Sequence, residues 1–287
     1  MARTPVVLLS ILLAAAGCSH KPRIVVGSKN FTEQVVLGEI IAAQIERRLP
    51  GVEVDRKLDL GGTLLAHEAL KSGSIDIYPE YTGTALTAVL HQPPIRDSEA
   101  GFQKLQDEYR KWQLEWMPPL GFNDSFAMVV MSDLAREQNL KTISDAVKRP
   151  WKLGVGYEFV ERPDGLKGMQ EAYGLRLEGD PITMDLGLLY QALRSKKVEM
   201  AAANATDGML AHQEFTILED DRHYFPPYEC SLVVRSQILQ QFPQLKGALE
   251  ELSGKISNDT MRKLNAMADI DHKSASGVAR EFIQTWK

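Results

Sequence analysis

Only two cysteines occur in this chain of 287 residues, Cys18 and Cys230. No disulfide framework can organise the fold, and a chain of this length needs none, being long enough to bury a sizeable core. Cys230 has no identifiable histidine partner to activate it and reads as a small buried hydrophobe. The six histidines are scattered and form no metal-ligand spacing. His67-Glu68-Ala69-Leu70-Lys71 begins like a zinc-protease helix, but lysine stands where the second histidine belongs. Gly-x-Ser-x-Gly and the phosphate-binding loop are absent, and Gly154-Val155-Gly156 fails as a dinucleotide fingerprint because Phe159 replaces the last glycine. There is no long basic run and the formal net charge is −5, which argues against nucleic acid as a partner. No cofactor is expected, and nothing compels catalysis.

One apolar stretch does stand out. Val6–Ala16 is apolar or small except at Ser10, and it follows the basic Arg3. As a helix it would be about 16 Å long against about 30 Å of hydrocarbon, too short to span a bilayer, so it reads as a secretory signal peptide. Its end, Ala15-Ala16-Gly17-Cys18, resembles a bacterial lipobox. Cys18 is then the lipidation site, residues 1–17 the signal peptide and residues 18–22 a short lipidated tether; the plainer alternative is an ordinary signal peptide with an incidental cysteine. The expected location is extracytoplasmic, with membrane contact through the lipid anchor only. That means the periplasmic side in a Gram-negative bacterium or the cell surface in a Gram-positive one. Ser19 stands where an inner-membrane retention aspartate would be, which leaves an outer-membrane destination open.

Past the tether, strand and helix patterns alternate at short intervals, which predicts parallel α/β sheets. Arg23–Gly27, Val52–Val54 and Ile75–Tyr78 read as strands separated by helices from Thr32 and Thr63, with another over Thr82–Leu90 and a long one over Ser98–Trp116. A second alternating unit follows, with strands at Phe126–Met131, Leu153–Val155, Val198–Ala203 and Thr216–Leu218 and a helix opening at Pro163. A strand at Leu232–Arg235 precedes an amphipathic helical tail ending at Trp286, which needs the first unit to pack on. The pattern predicts two lobes joined by two crossings: residues 23–126 with 231–287, and residues 127–230. A ligand site then falls in the cleft between them.

The chemistry that remains lies in loops at the carboxyl ends of the first three strands, where open α/β sheets bind ligands. SIDIYPEYTGT (74–84) carries two tyrosines at such an end. Ile75, Ile77 and Tyr78 read as the finish of a buried strand, with Pro79-Glu80 as the turn; Tyr81 beyond it fits either packing or a ring that faces a ligand. A phenol face attracts a cation that lacks N–H donors by about 0.5–2 kcal/mol. Helix N-termini at Thr63 and Thr82 suit an anionic or hydroxyl end. A zwitterion could be held by both ends.

Gly27-Ser28-Lys29-Asn30-Phe31-Thr32-Glu33-Gln34, Leu60-Gly61-Gly62-Thr63, Asp76–Thr84, Gly121-Phe122-Asn123, Glu161–Gly165, Ala205-Thr206-Asp207-Gly208 and Asp220–Tyr228 occur in that order. The set resembles the glycine betaine/choline/carnitine substrate-binding lipoproteins of osmoprotectant ABC importers, over nearly the whole mature chain. The resemblance implies a two-lobed periplasmic-binding-protein-like fold of type II and a tyrosine cage for a quaternary ammonium. It also implies, as partners, a small-molecule ligand and an ABC permease with its ATPase, with the chain itself a monomer and not an enzyme.

The cage positions map onto Tyr81, Tyr228 and Phe126, the last where relatives usually carry tyrosine. Gln34 and Thr84 match positions that meet the ligand's other end. Asp124 stands where relatives often carry asparagine, Asn204 where a further cage tyrosine commonly lies, and Glu229 adds an acid beside Tyr228. With Thr63 and Asn123, these ten residues are the candidate ligand-binding set. Asp124 and Asn204 also fit a different ligand with N–H donors, such as an amino acid, a polyamine-like cation or an ergothioneine-like compound. An enzyme or a sensor lipoprotein on the same fold are the readings of another class.

Overall fold

The computed structural model describes residues 22–162 and 164–285. The expected signal peptide, Cys18 with its tether as far as Lys21, Pro163 and Trp286 lie outside the described residues. Ten strands form two five-stranded sheets. The first contains β1 (Arg23–Gly27), β2 (Glu53–Lys57), β3 (Ile77–Tyr81), β4 (Leu114–Trp116) and β10 (Cys230–Arg235), in the order β2-β1-β3-β10-β4. The second contains β5 (Phe126–Met131), β6 (Leu153–Val155), β7 (Ile182–Thr183), β8 (Met200–Asn204) and β9 (Phe215–Leu218), in the order β7-β6-β8-β5-β9. The two orders are equivalent. In each sheet three parallel strands are joined by an antiparallel strand that arrives from the other half of the chain, β10 beside β3 and β5 beside β8. The chain therefore crosses twice. β5 opens at Phe126 and β10 at Cys230, each directly after a crossing.

Apolar residues cover both faces of each sheet, as parallel strands require. On one face of the first sheet the α1 residues (Thr32–Arg48) Leu37, Ile40, Ile41 and Ile45 share a core with Val278, Ala279, Phe282 and Ile283 of the C-terminal helix Ala275–Gln284. The helical tail thus packs on the first lobe, as its amphipathic pattern demands. Trp151, fully buried, anchors one face of the second sheet and donates its indole N–H to the Ala146 carbonyl at 2.6 Å.

Two expectations are corrected. The third strand does not end at Tyr78: β3 runs from Ile77 to Tyr81, every residue buried. Pro79 is tolerated there because the Leu232 carbonyl opposite it accepts from Met117 N–H on the far side of β10 at 2.9 Å. The missing proline N–H therefore faces away from β10, towards β1, whose only pairing with β3 is at Val26 and Ile77. Second, the long helix stops at Arg110, and Leu114–Trp116 becomes β4 on the sheet edge. Gln113, at φ 59°, reverses the chain between them. Helical spacing of Leu105, Tyr109 and Trp112 hid that break, since Trp116 also falls on the same periodic stripe.

Candidate functional site

The site stands where the carboxyl ends of both sets of parallel strands face each other. From the first lobe come the loop after β1, the start of α2 (Thr63–Lys71) and the end of β3, which passes into α3 (Thr82–Thr84). From the second come the turn after β6 and the end of β8. Together they enclose a cavity of about 290 Å³ lined by Phe31, Thr63, Tyr81, Thr84, Phe126, Tyr157, Arg162, Asn204 and Tyr228, among others. The two crossing segments form its hinge: Asp124 N–H donates to the Tyr228 carbonyl at 3.1 Å and Tyr228 N–H to Asn123 Oδ1 at 2.7 Å.

Seven of the ten sequence candidates line this cavity: Thr63, Tyr81, Thr84, Asp124, Phe126, Asn204 and Tyr228. Three stand outside its lining. Gln34 is buried on α1, where its carbonyl oxygen accepts Lys29 N–H at 3.3 Å. Asn123 and Glu229 pair as an isolated antiparallel bridge and hold the crossing segments together. Asn123 is further fixed by Asn258, whose Nδ2 donates to the Asn123 carbonyl at 2.7 Å. Asn123 and Glu229 thus tie the two crossing segments together, and Gln34 braces the loop after β1.

Two pairs of rings stand on the cavity wall. Phe126 lies edge-on to Tyr228 at 5.9 Å between centroids, and Tyr81 stacks on Phe31 at 6.4 Å. The glycine of Thr82-Gly83-Thr84 has its reason here. A Cβ on Gly83 would fall 2.5 Å from Tyr228 Cε1 and 3.0 Å from the Pro227 carbonyl oxygen. The Tyr228 ring is thus seated directly on the backbone of α3. Gly83→Ala is expected to destabilise the fold by about 1–3 kcal/mol through overpacking and to weaken ligand binding by displacing that ring. Chemical denaturation and a ligand titration of the same variant check both effects.

Sequence reasoning passed over two cations. Lys29 places its ammonium 2.5 Å from Glu80 Oε1, 3.1 Å from Thr63 Oγ1 and 5.0 Å from the centre of the Tyr81 ring. Arg162 makes a two-pronged ion pair with Asp164 at 3.0 and 2.9 Å and donates to the Tyr228 hydroxyl at 2.7 Å. It also reaches across the cleft to Thr84 Oγ1 at 3.4 Å and Thr87 Oγ1 at 3.3 Å. The Tyr228 hydroxyl in turn donates to Asp164. The Arg162 guanidinium lies 5.3 Å from the Phe126 ring centre and 5.2 Å from that of Tyr228. The signal was present: Lys29 and Arg162 both fall inside the ordered motifs, but only their neighbours were read as ligand contacts.

Behind the rings lies a buried acidic cluster. Glu33 accepts from the Tyr81 hydroxyl at 2.6 Å and from Asn265 Nδ2 at 2.9 Å. The Thr206 hydroxyl lies 2.5 Å from Glu33 Oε2 and 2.6 Å from Asp124 Oδ1, and Thr206 N–H donates to the same Asp124 oxygen at 3.1 Å. Burial pushes the Glu33 carboxyl up, against its hydrogen bonds to Thr206, Tyr81 and Asn265. Burial and the neighbouring Glu33 push Asp124 well above the usual carboxylate range.

Residues 22–285 match the family described as the substrate binding domain of ABC-type glycine betaine transport systems. The carnitine transport binding protein OpuCC of Listeria monocytogenes is 33% identical over 282 residues, covering 96% of this chain and 91% of that protein. The ergothioneine transport permease/ergothioneine binding protein EgtU of Helicobacter pylori is 31% identical over 289 residues, covering 97% of this chain and 51% of that protein. A crystal structure of a glycine betaine/carnitine/choline ABC transporter protein superimposes with a TM-score of 0.82 at 31% identity, over 91% of this chain and 98% of that one.

Proposed function

The chain belongs to the substrate-binding family of ABC-type glycine betaine transport systems, and from that premise we propose that it captures a quaternary amine of the glycine betaine, carnitine or choline type between its lobes. It then hands the ligand, chemically unchanged, to a membrane permease powered by a separate ATPase. One observation carries the reading: a cavity of about 290 Å³ brings the rings of Tyr81, Phe126 and Tyr228 together with the guanidinium of Arg162. A methylated ammonium has no N–H to donate, so ring faces serve it better than carbonyls do. A carboxylate at the ligand's other end meets Arg162 at Nη1, the side that the fork to Asp164 leaves over, with Thr84 beside it. Lys29 stands on the same wall but is neutralised by Glu80. Anchoring through a lipid on Cys18, extracytoplasmic placement and a monomeric state belong to the same reading, supported by the Ala15-Ala16-Gly17-Cys18 segment.

A second reading, a ligand that carries N–H donors, is favoured by the presence of Asp124 and Asn204 on the cavity wall. One experiment separates the two. The mature domain is screened by thermal shift against glycine betaine, choline, carnitine, ergothioneine and amino acids. A true ligand at 100 times its Kd stabilises by about 2.7 kcal/mol. A shift with at least one quaternary amine is expected. No shift with glycine betaine, choline or carnitine, alongside a shift with ergothioneine or an amino acid, would replace the first reading by the second. Recovery of an altered compound after incubation would point to an enzyme.

A further inference from the structure

The cluster behind the cage has one proton too few for its geometry if both acids are ionised. The Thr206 hydroxyl has a single hydrogen, yet its oxygen lies 2.5 Å from Glu33 Oε2 and 2.6 Å from Asp124 Oδ1. Two ionised carboxylates cannot both approach that oxygen so closely, since only one can accept from it. One of the two acids must therefore hold a proton and donate it to Thr206. The other donors are already assigned: the Tyr81 hydroxyl and Asn265 Nδ2 to Glu33, and Thr206 N–H to Asp124. No cation is hydrogen-bonded to either acid among the described residues. Lys29, whose charge acts on Glu33 without a hydrogen bond, is spent on Glu80.

We propose that Glu33 and Asp124 share one proton in the empty site and release it when a cationic group enters the cavity, so that ligand capture is coupled to proton release. This rests on the quaternary-amine reading and deepens it. Glu33 is walled in by Tyr81, Thr206 and Asn265, whereas Asp124 lines the cavity itself, so a ligand's positive charge meets the pair through Asp124. That charge then does what the proton did, offsetting the repulsion between two buried carboxylates. Asp124 becomes the residue through which the site selects for positive charge at the ligand's ring-bound end.

Other ionisable groups face the pair and must be separated from it. They are Lys29 from the loop after β1, Tyr81 from β3, Asp207 after β8 and Cys230 from β10, with Asp269 near Asp207. Arg262, on the helix Asn258–Asp269, caps the Ala205 carbonyl at 2.8 Å. Burial raises Asp207 to about 6, so it titrates in the physiological window as well. Asp124→Asn removes the proposed proton while leaving Asp207 and the rest in place, and asparagine can still accept from Thr206.

The sign follows from linkage. The empty site binds a proton that the filled site does not, so affinity rises with pH wherever the pair is protonated, by about tenfold per pH unit for one proton. The test uses the whole mature chain. An infrared band of a protonated carboxyl should be present in the ligand-free protein at a pH well above the Asp207 value of about 6, and missing there in Asp124→Asn. Calorimetry with choline and with glycine betaine, in buffers of different ionisation enthalpy, should then read one proton released per ligand, with a pH-independent Kd in the variant. Absence of the band, a flat affinity in the unmodified protein, or the same slope in Asp124→Asn each overturns the proposal. If neither compound binds at all, it is the quaternary-amine reading that falls, and the infrared band alone decides whether the pair holds its proton.

Discussion

Replacing Glu80 by alanine is expected to destabilise the fold by about 3–5 kcal/mol, because it strands a buried ammonium. The Lys29 and Glu80 side chains are 4% and 0% exposed, and their ion pair is 2.5 Å long. Glu80 also accepts from the Tyr78 hydroxyl at 3.0 Å and from Tyr81 N–H at 2.8 Å. Truncation leaves Lys29 with only the Thr63 hydroxyl at 3.1 Å and the face of Tyr81. Glu80→Gln keeps the volume and can still accept from Tyr78 and Tyr81, so it isolates the lost charge. The double variant Lys29→Met/Glu80→Gln should recover most of the loss, since removing both charges removes the desolvated ion with its partner. Urea midpoints of the three variants check this. A loss below about 1 kcal/mol for Glu80→Ala would mean that water reaches the pair and that the first lobe does not depend on it.

Arg162→Ala should weaken glycine betaine and carnitine by about 10- to 100-fold, the loss of a charged hydrogen-bonded contact worth roughly 1.5–3 kcal/mol. Choline, which has no carboxylate, should change by no more than a few-fold. The discrimination matters because Arg162 also holds the cage: it donates to the Tyr228 hydroxyl and pairs with Asp164, which is 3% exposed. A purely structural role would weaken all three ligands alike. Equal losses for choline and glycine betaine in parallel titrations would therefore remove Arg162 from the anion-binding end and leave it as a support for Tyr228. Arg162→Lys should fall between, because a point charge cannot reproduce the fork to Asp164 and a ligand carboxylate together.

Much of the fold was legible because it rests on periodicity. β1, α1, β5, β6 and the tail helices lie where apolar spacing placed them, since alternation and helical stripes report burial directly. The failures share a cause. β3 was cut short at Pro79 because proline reads locally as a turn, and only the register against β10 reveals that its nitrogen faces away from the ladder. β4 was absorbed into a helix because a three-residue edge strand has too few residues to declare a period of two. Within the site, Tyr78 was correctly separated from Tyr81, the first fully buried and the second on the cavity wall. The bridge between Asn123 and Glu229 depends on where the two crossings meet.

The sequence by itself determined the two-lobed α/β class, the run of ordered motifs that marks the family, and the concentration of phenyl and phenol rings at strand ends. These follow from local pattern, which a linear chain carries in full. Only the tertiary structure decided which charges share the site. Glu33 meets Tyr81 across 48 residues of chain, Thr206 across 173 and Asn265 across 232. Arg162 reaches Thr84 across 78. The Thr206 and Arg162 contacts are set by how the two lobes close on each other, those of Tyr81 and Asn265 by packing within the first lobe, and no spacing in the chain encodes either. The same closure that gathers the rings for a quaternary ammonium also forces two carboxyls onto one hydroxyl. There, too few protons remain for both acids to stay ionised.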